Sequence, residues 1–137
     1  MNILFFLKPK VEIARLYDDN SLRQALEVME HHQYSAIPIL SRDGKCVGTI
    51  TEGDLLWAIK KMHNLNTKEA ENIPIMSIKR RNDYKTVHAE AKMEDLIERA
   101  MEQNFVPVED DQGNFIGIIT RKDIIGYCYE KLNDCDK

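Results

Sequence analysis

A threonine followed three residues later by an aspartate closes two stretches of this chain, Gly48-Thr49-Ile50-Thr51-Glu52-Gly53-Asp54 and Gly117-Ile118-Ile119-Thr120-Arg121-Lys122-Asp123. Thr at the end of an apolar run with an acid three positions on is capping-box chemistry, and the acid also complements the positive end of the helix that follows. The same groups suit a second task. A Thr hydroxyl beside the free amides of a helix start makes an anion site, and a neighbouring carboxylate can accept two hydrogen bonds from a ribose diol. Phosphate donors next to a diol acceptor describe a nucleotide pocket. Capping alone would account for a single copy; the repetition brings in the second task.

The repetition extends well beyond the motif. Pro38, Gly44, Gly48, Thr51 and Asp54 recur as Pro107, Gly113, Gly117, Thr120 and Asp123, each pair 69 residues apart, which marks a duplicated unit. In the first copy, Val11 to Leu16 alternates as a strand does. Asp18-Asp19-Asn20-Ser21 offers capping oxygens to a helix carrying Leu22, Ala25, Leu26 and Met29. Tyr34 to Leu40 and Cys46 to Ile50 form a hairpin about Asp43-Gly44, and Leu55, Leu56, Ile59 and Met62 place a second amphipathic helix after Asp54. The second copy repeats this order with Tyr84 to Val87, a helix holding Met93, Leu96, Ile97 and Ala100, a hairpin from Phe105 to Ile119, and a helix from Asp123 to about Leu132. Between them, Asn64 to Asn72 is a polar connector with a helical turn over Thr67 to Glu71, capped by Thr67. A three-stranded sheet with helices on one face leaves its other apolar face uncovered. The expected fold is therefore α+β (of α/β type), two β-α-β-β-α repeats packed through their sheets with pseudo-twofold symmetry.

Bulk properties narrow the class. The 137 residues hold one compact globule, since half-domains of about 60 residues would each be marginal alone. Hydrophobic content of 43% supports a packed core, and a net charge of −4 argues against a general nucleic-acid binder, leaving only local basic spots at Lys79-Arg80-Arg81 and Arg121-Lys122 for a small anion. The apolar start Ile3-Leu4-Phe5-Phe6-Leu7 is too short for a membrane helix, which needs about 20 residues, and is read as a packed segment of a cytoplasmic protein. Cys46, Cys128 and Cys135 form no CxxC pair and fit a reducing compartment, Cys128 and Cys135 as packing residues.

The ordered set of hydrophobic-Pro-hydrophobic, short hairpin, Gly-x-x-Thr-x-x-Asp and closing helix, occurring twice, resembles a tandem cystathionine β-synthase (CBS) domain pair, or Bateman module, from about residue 8 to residue 132. On that resemblance residues 8–63 form the first repeat, 64–76 a connector and 77–132 the second repeat. The resemblance implies a stand-alone regulatory sensor for an adenosyl ligand (AMP, ADP, ATP, S-adenosylmethionine, NAD or cyclic di-AMP) held between the repeats, without catalysis and without a catalytic cofactor. It further implies that Thr120 and Asp123 hold phosphate and ribose while Tyr34, Ser35 and Ala36, ahead of Pro38, and strand residues Ile13 and Ala14 enclose the base, with Arg121 and Lys122 against phosphate. A reciprocal cleft would combine Thr51 and Asp54 with Lys85, Thr86, Phe105 and Val106. A disk-like homodimer and an unidentified regulated protein are the implied partners.

The two clefts are not equivalent. Six residues separate Met101 from Pro107 but nine separate Met29 from Pro38, so the second loop is expected to be about three residues shorter, and Glu52-Gly53 replaces the basic Arg121-Lys122. The Thr120–Asp123 cleft ranks first. His31-His32 has no Cys or acid at ligand spacing, His63 and His88 are isolated, and no nucleophile triad, P-loop or paired-carboxylate arrangement is present. Trp57, Tyr127 and Tyr129 read first as helix-packing aromatics and second as a dimer face. The competing functional reading is a ligand-independent docking module whose Thr-x-x-Asp turns serve only as caps.

Overall fold

The computed structural model describes residues 2–62 and 66–135. In chain order the strands and helices are β1 (Lys8–Pro9), β2 (Leu16–Tyr17), α1 (Leu22–His32), β3 (Ala36–Leu40), β4 (Cys46–Thr51), α2 (Glu52–Lys61), a short α3 (Thr67–Ala70), β5 (Val87–His88), α4 (Met93–Ala100), β6 (Phe105–Glu109), β7 (Phe115–Thr120) and α5 (Arg121–Cys135). They form two compact units, one from Ala14–Asp83 and the other from Met1–Ile13 with Tyr84–Lys137. Position 63, which holds His63, and the first connector residues lie outside the described residues, as do the side chains of Thr67 and Cys135.

The unit Ala14–Asp83 is a three-stranded sheet in the order β2-β3-β4. Leu16, Leu22, Ala25, Ile37, Ile39, Ile50 and Leu55 meet in its core, and Ala70 and Ile75 from the connector and Ile78 just after it join them. Helix α1 starts where its caps predict: Ser21 and Gln24 form a reciprocal capping box, and Leu22, Ala25 and Met29 turn one face inward. The other unit is a four-stranded sheet in the order β1-β7-β6-β5. Its core unites Ile3 with Val87, Met93, Leu96, Val106, Val108, Ile119 and Ile124, and Phe6 and Leu7 pack against it. The apolar start of the chain is thus a 3-10 turn, Ile3–Phe6, that completes this second core.

The hairpin registers preserve the duplication pair by pair. Ala36↔Thr51, Ile37↔Ile50, Pro38↔Thr49 and Ile39↔Gly48 match Phe105↔Thr120, Val106↔Ile119, Pro107↔Ile118 and Val108↔Gly117, and each hairpin has one irregularity directly after these pairs. Gly44 and Gly113 turn both hairpins at φ of 95° and 79°, a conformation that costs glycine little.

The strand expected from Val11 to Leu16 is not continuous. Lys10–Glu12 is a 3-10 turn, Val11 is 83% exposed, and only Leu16 and Tyr17 pair, in parallel with Ile39 and Leu40. The strand expected from Tyr84 to Val87 likewise contracts to Val87–His88, paired with Val108 and Glu109. Both pairings begin one residue past the strand proline, Pro38 or Pro107, whose missing N–H restricts where a neighbour can be added. Leu56, expected on the apolar face of α2, is exposed while Leu55 is buried, because adjacent helical positions point about 100° apart. The connector turn is capped one residue early, by the Asn66 side chain accepting from the Glu69 N–H at 2.8 Å.

The loop comparison also changes. Counted from the N-caps Ser21 and Lys92, Met29 corresponds to Ala100, not to Met101. The second copy is two residues shorter up to its proline, and α4 has 8 residues against 11 in α1, so the shortening lies in the helix. The segment between α4 and β6 is not shorter than that between α1 and β3.

At Gly117 a Cβ would stand 2.2 Å from the Lys8 carbonyl oxygen and 3.0 Å from a Leu7 methyl. Gly117→Ala therefore forces β1 away from β7. It is expected to destabilise the protein by about 2 kcal/mol or more, read as a lower urea midpoint, whereas an unchanged midpoint would show that β1 is not held there.

Candidate functional site

In the first copy Thr51 is the N-cap of α2, and the capping box is closed on both sides: Thr51 Oγ1 accepts from the Asp54 N–H at 3.1 Å, and Asp54 Oδ2 accepts from the Thr51 N–H at 3.0 Å. The other carboxylate oxygen, Oδ1, accepts from the Arg81 N–H at 3.0 Å. Asp54 is thereby 5% exposed, with both oxygens engaged. The loop before β3 is tied to the same helix start, since Ser35 O accepts from the Glu52 N–H at 3.0 Å and Ala36 pairs with Thr51.

Two residues after Arg81 sits a group that sequence reasoning did not single out. Asp83 Oδ1 accepts from the Thr49 N–H at 3.0 Å and from Arg80 Nε at 2.8 Å, while Oδ2 accepts from Arg80 Nη2 at 3.2 Å. Burial pushes the Asp83 carboxyl upward, but the hydrogen bonds from Arg80 and Thr49 and the guanidinium charge outweigh it and hold the carboxyl below the usual carboxylate range. The same pairing raises the Arg80 guanidinium. Gly48 makes room for this latch, because a Cβ there would meet Asp83 Oδ1 at 2.8 Å.

The second copy is open where the first is closed. Thr120 Oγ1 accepts from the Asp123 N–H at 3.3 Å, but the Asp123 carboxylate makes no hydrogen bond or ion pair among the described residues and is half-buried. Asn104 O accepts from the Arg121 N–H at 2.9 Å, the counterpart of the Ser35–Glu52 bond. Arg121 Nε donates to Ala100 O at 2.8 Å, so this guanidinium closes the end of α4, and Lys122 is exposed.

Gln103, 6% exposed, organises the neighbouring strands: its Oε1 accepts from the Lys85 N–H at 2.9 Å, and its Nε2 donates to Lys85 O at 3.1 Å and Phe105 O at 3.2 Å. Tyr84 packs edge-on against Phe105 at 4.9 Å and its hydroxyl accepts from the Asn104 N–H. Lys85, Phe105 and Thr120 are thus brought together within one unit, with Val106 buried beside them and Thr86 half-buried next to Lys85. A buried Gln clasping two strand backbones carries no sequence signature, which is why Gln103 was missed.

In the unit Ala14–Asp83, Tyr34 is exposed and its ring stacks on His32 at 5.4 Å, Ser35 is exposed, and Ala36 and Pro38 are buried in β3. Ile13 and Ala14, half-buried, fall on either side of the division between the units. Trp57 and Tyr129 are not core aromatics, being 58% and 65% exposed, whereas Tyr127 packs edge-on against Phe6 at 5.9 Å.

A model of the CBS domain matches the chain twice, over residues 9–61 and 75–130. The chain belongs to the CBS domain family. As a CBS pair it is 26% identical to an uncharacterized protein of Methanocaldococcus jannaschii, covering 90% of this chain and 48% of that protein. A second uncharacterized protein of that organism is 29% identical, with 80% and 82% covered. The chain therefore spans about half the length of the first relative and most of the second. Among solved structures, a hypothetical conserved protein of Geobacillus kaustophilus matches at TM-score 0.82 and 27% identity, covering 96% of this chain and 98% of that one. CbpB of Listeria monocytogenes in complex with c-di-AMP matches at TM-score 0.81 and 21% identity (97% and 98% covered), and CBSX2 in complex with AMP at 0.70 and 21% (94% and 96%). These last two share the CBS-pair fold. No described helix is long and apolar enough to cross a membrane.

Two outcomes follow from the contrast between the copies. Asp54→Ala strands two partly buried backbone donors and is expected to cost about 2–3 kcal/mol, against about 1 kcal/mol or less for Asp123→Ala; equal losses in urea unfolding would contradict the assigned contacts. The folded-state carboxyl of Asp83 titrates below the roughly 3.9 of an unfolded aspartate, so the latch contributes fully above that value and is lost as pH falls through the lower folded value. Asp83→Asn is expected to be less stable than the parent at neutral pH, and the difference is expected to shrink as pH falls through the lowered folded value of the Asp83 carboxyl. A stability difference independent of pH would rule the charged latch out.

Proposed function

We propose that this CBS pair is a stand-alone regulatory module that binds an adenosyl ligand and passes its occupancy to a partner protein. The observation that carries this reading is the difference between the two aspartates. Asp54 spends both oxygens on backbone N–H groups of its own unit, while Asp123 keeps an unengaged carboxylate beside the Thr120 hydroxyl and the start of α5. A carboxylate free to accept from a diol, next to a hydroxyl and helix amides suited to phosphate, is what a nucleotide requires. CBS-pair structures with bound c-di-AMP and AMP add support by fold. Asp123 takes the ribose and Thr120 the phosphate, and Lys122 adds positive charge. Tyr34, Ser35 and Ala36 contribute to base recognition; Arg121, held to Ala100 O, contributes less than its charge suggests.

A second reading is favoured by the apolar face of α5, where Ile125, Tyr129 and Leu132 recur at one helical face and are all exposed. On it the module is a docking or homodimerising platform, and the caps are only caps.

Calorimetry with AMP, ATP, S-adenosylmethionine, NAD and cyclic di-AMP separates the two. Saturable binding of at least one compound is expected, weakened more than tenfold in Asp123→Ala with little change in melting temperature. Absence of heat across the panel, with folded protein, would leave only the docking platform.

A further inference from the structure

The start of α1 is covered by a segment of its own unit. The Leu22 N–H donates to Ile73 O at 2.8 Å, the Ile75 N–H donates to Asn20 O at 2.9 Å, and Ser21 bridges to Pro74. Ala70, 2% exposed, belongs to the same core as Leu22 and Ala25, and Arg23 of α1 forms an ion pair with Glu71. Residues 70–75 thus bring to the flank of α1 a small apolar side chain, a backbone carbonyl and a charge.

Aligned by the N-caps Ser21 and Lys92, α4 carries Met93, Glu94, Ile97, Glu98 and Met101 where α1 carries Leu22, Arg23, Leu26, Glu27 and Glu30. Steps of three and four residues place these side chains along one flank. There the contacts of the first copy have no counterpart. The Met93 N–H, one of the orphan donors of a helix start, makes no hydrogen bond among the described residues, and neither Glu94 nor Glu98 is in an ion pair with one. Met101 is 75% exposed, and Ile97 beside it is half-buried.

A lone exposed methionine needs no partner. What singles out this flank is that the other copy displays the kind of cover that fits it. The charges say how the cover must differ: Arg23 takes an acid, so Glu94 in its place takes a cation, and Glu98 one turn on takes another.

We propose that this flank of α4 docks a short basic segment of a partner protein, laid down as residues 70–75 lie on α1. A small apolar side chain meets Ile97 and Met101, a carbonyl accepts from the Met93 N–H, and lysine or arginine faces Glu94 and Glu98. The surface lies within the unit Met1–Ile13 with Tyr84–Lys137 and uses neither Thr-x-x-Asp motif. It is tested on ligand-free protein, so it stands or falls separately from the adenosyl reading.

The connector supplies the probe. A peptide with the sequence of residues 66–75, carrying Glu69→Lys and Glu71→Lys, is titrated into the intact, isotope-labelled protein. The expected result is a saturable shift of the Met93 amide and Met101 methyl resonances, with slower hydrogen exchange at Met93 and weaker binding as potassium chloride is raised. The unaltered peptide, with both glutamates, should bind more than tenfold more weakly. In the Glu94→Lys/Glu98→Lys variant that preference should reverse, and Met101→Asp should remove binding of either peptide. All three substituted side chains are exposed, and matching melting temperatures verify that the variants fold. The proposal is overturned by the absence of a saturable shift, by shifts centred outside α4, by equal binding of the two peptides, or by a preference that survives the double lysine variant. Concentration-dependent dimerisation of the parent that Met101→Asp abolishes would give the flank to a second copy of this chain and overturn it as well.

Discussion

At Gly117 the carbonyl of Lys8 occupies the space a side chain would need, and at the equivalent Gly48 the carboxylate of Asp83 does the same. In each unit a segment from outside the repeat lies against the strand that ends in Thr-x-x-Asp, and only glycine admits it. The consequences spread outward from these two approaches. Pairing of Lys8 with Ile118 adds β1 to one sheet and brings Ile3, Phe6 and Leu7 into its core. The Asp83 latch on Thr49, with Arg80 bound to it, holds the segment 80–83 so that the Arg81 N–H reaches Asp54.

The two outside segments solve the same problem with different chemistry, and that difference separates the copies functionally. Beside Gly117 the visitor is a strand that pairs with Gly117 and Ile118 along the sheet edge. Beside Gly48 it is the irregular segment 80–83, held by side-chain charge, and its backbone donates to the second Asp54 oxygen. Identical motifs therefore end in different states, with one aspartate buried and both its oxygens bonded to backbone amides, and the other half-buried with neither carboxylate oxygen bonded among the described residues. A buried carboxylate that lost its N–H donors would cost more than the net value of the bonds themselves, which gives the Arg81 backbone its grip on Asp54.

Much of the fold was legible because duplication and periodicity are local. The 69-residue spacing carries over into every register pair of the two hairpins, and the Ser21 and Thr51 caps open helices as their side chains predict. The outer strands are shorter than alternation in Val11 to Leu16 implies, because alternation does not establish burial and pairing there is confined to the residues beyond the strand proline. Met29 and Met101 were matched by residue type, whereas the N-caps show that α4 lost its final turn. Trp57 and Tyr129 were expected inside and lie outside, since an aromatic alone does not say which face of a helix it occupies.

Family membership, the β-α-β-β-α repeat and the four motif residues Thr51, Asp54, Thr120 and Asp123 were determined by sequence, because each depends on residue identity at fixed short spacing. Tertiary structure decided which segments complete each unit, that Gln103 clasps Lys85 and Phe105, that Asp83 latches Thr49, and that Asp54 is spent while Asp123 is not. The physical reason is the range of the contacts involved. A cap is satisfied within three residues, but an Asp54 oxygen was claimed by an amide 27 residues away, and no local pattern records such a bond.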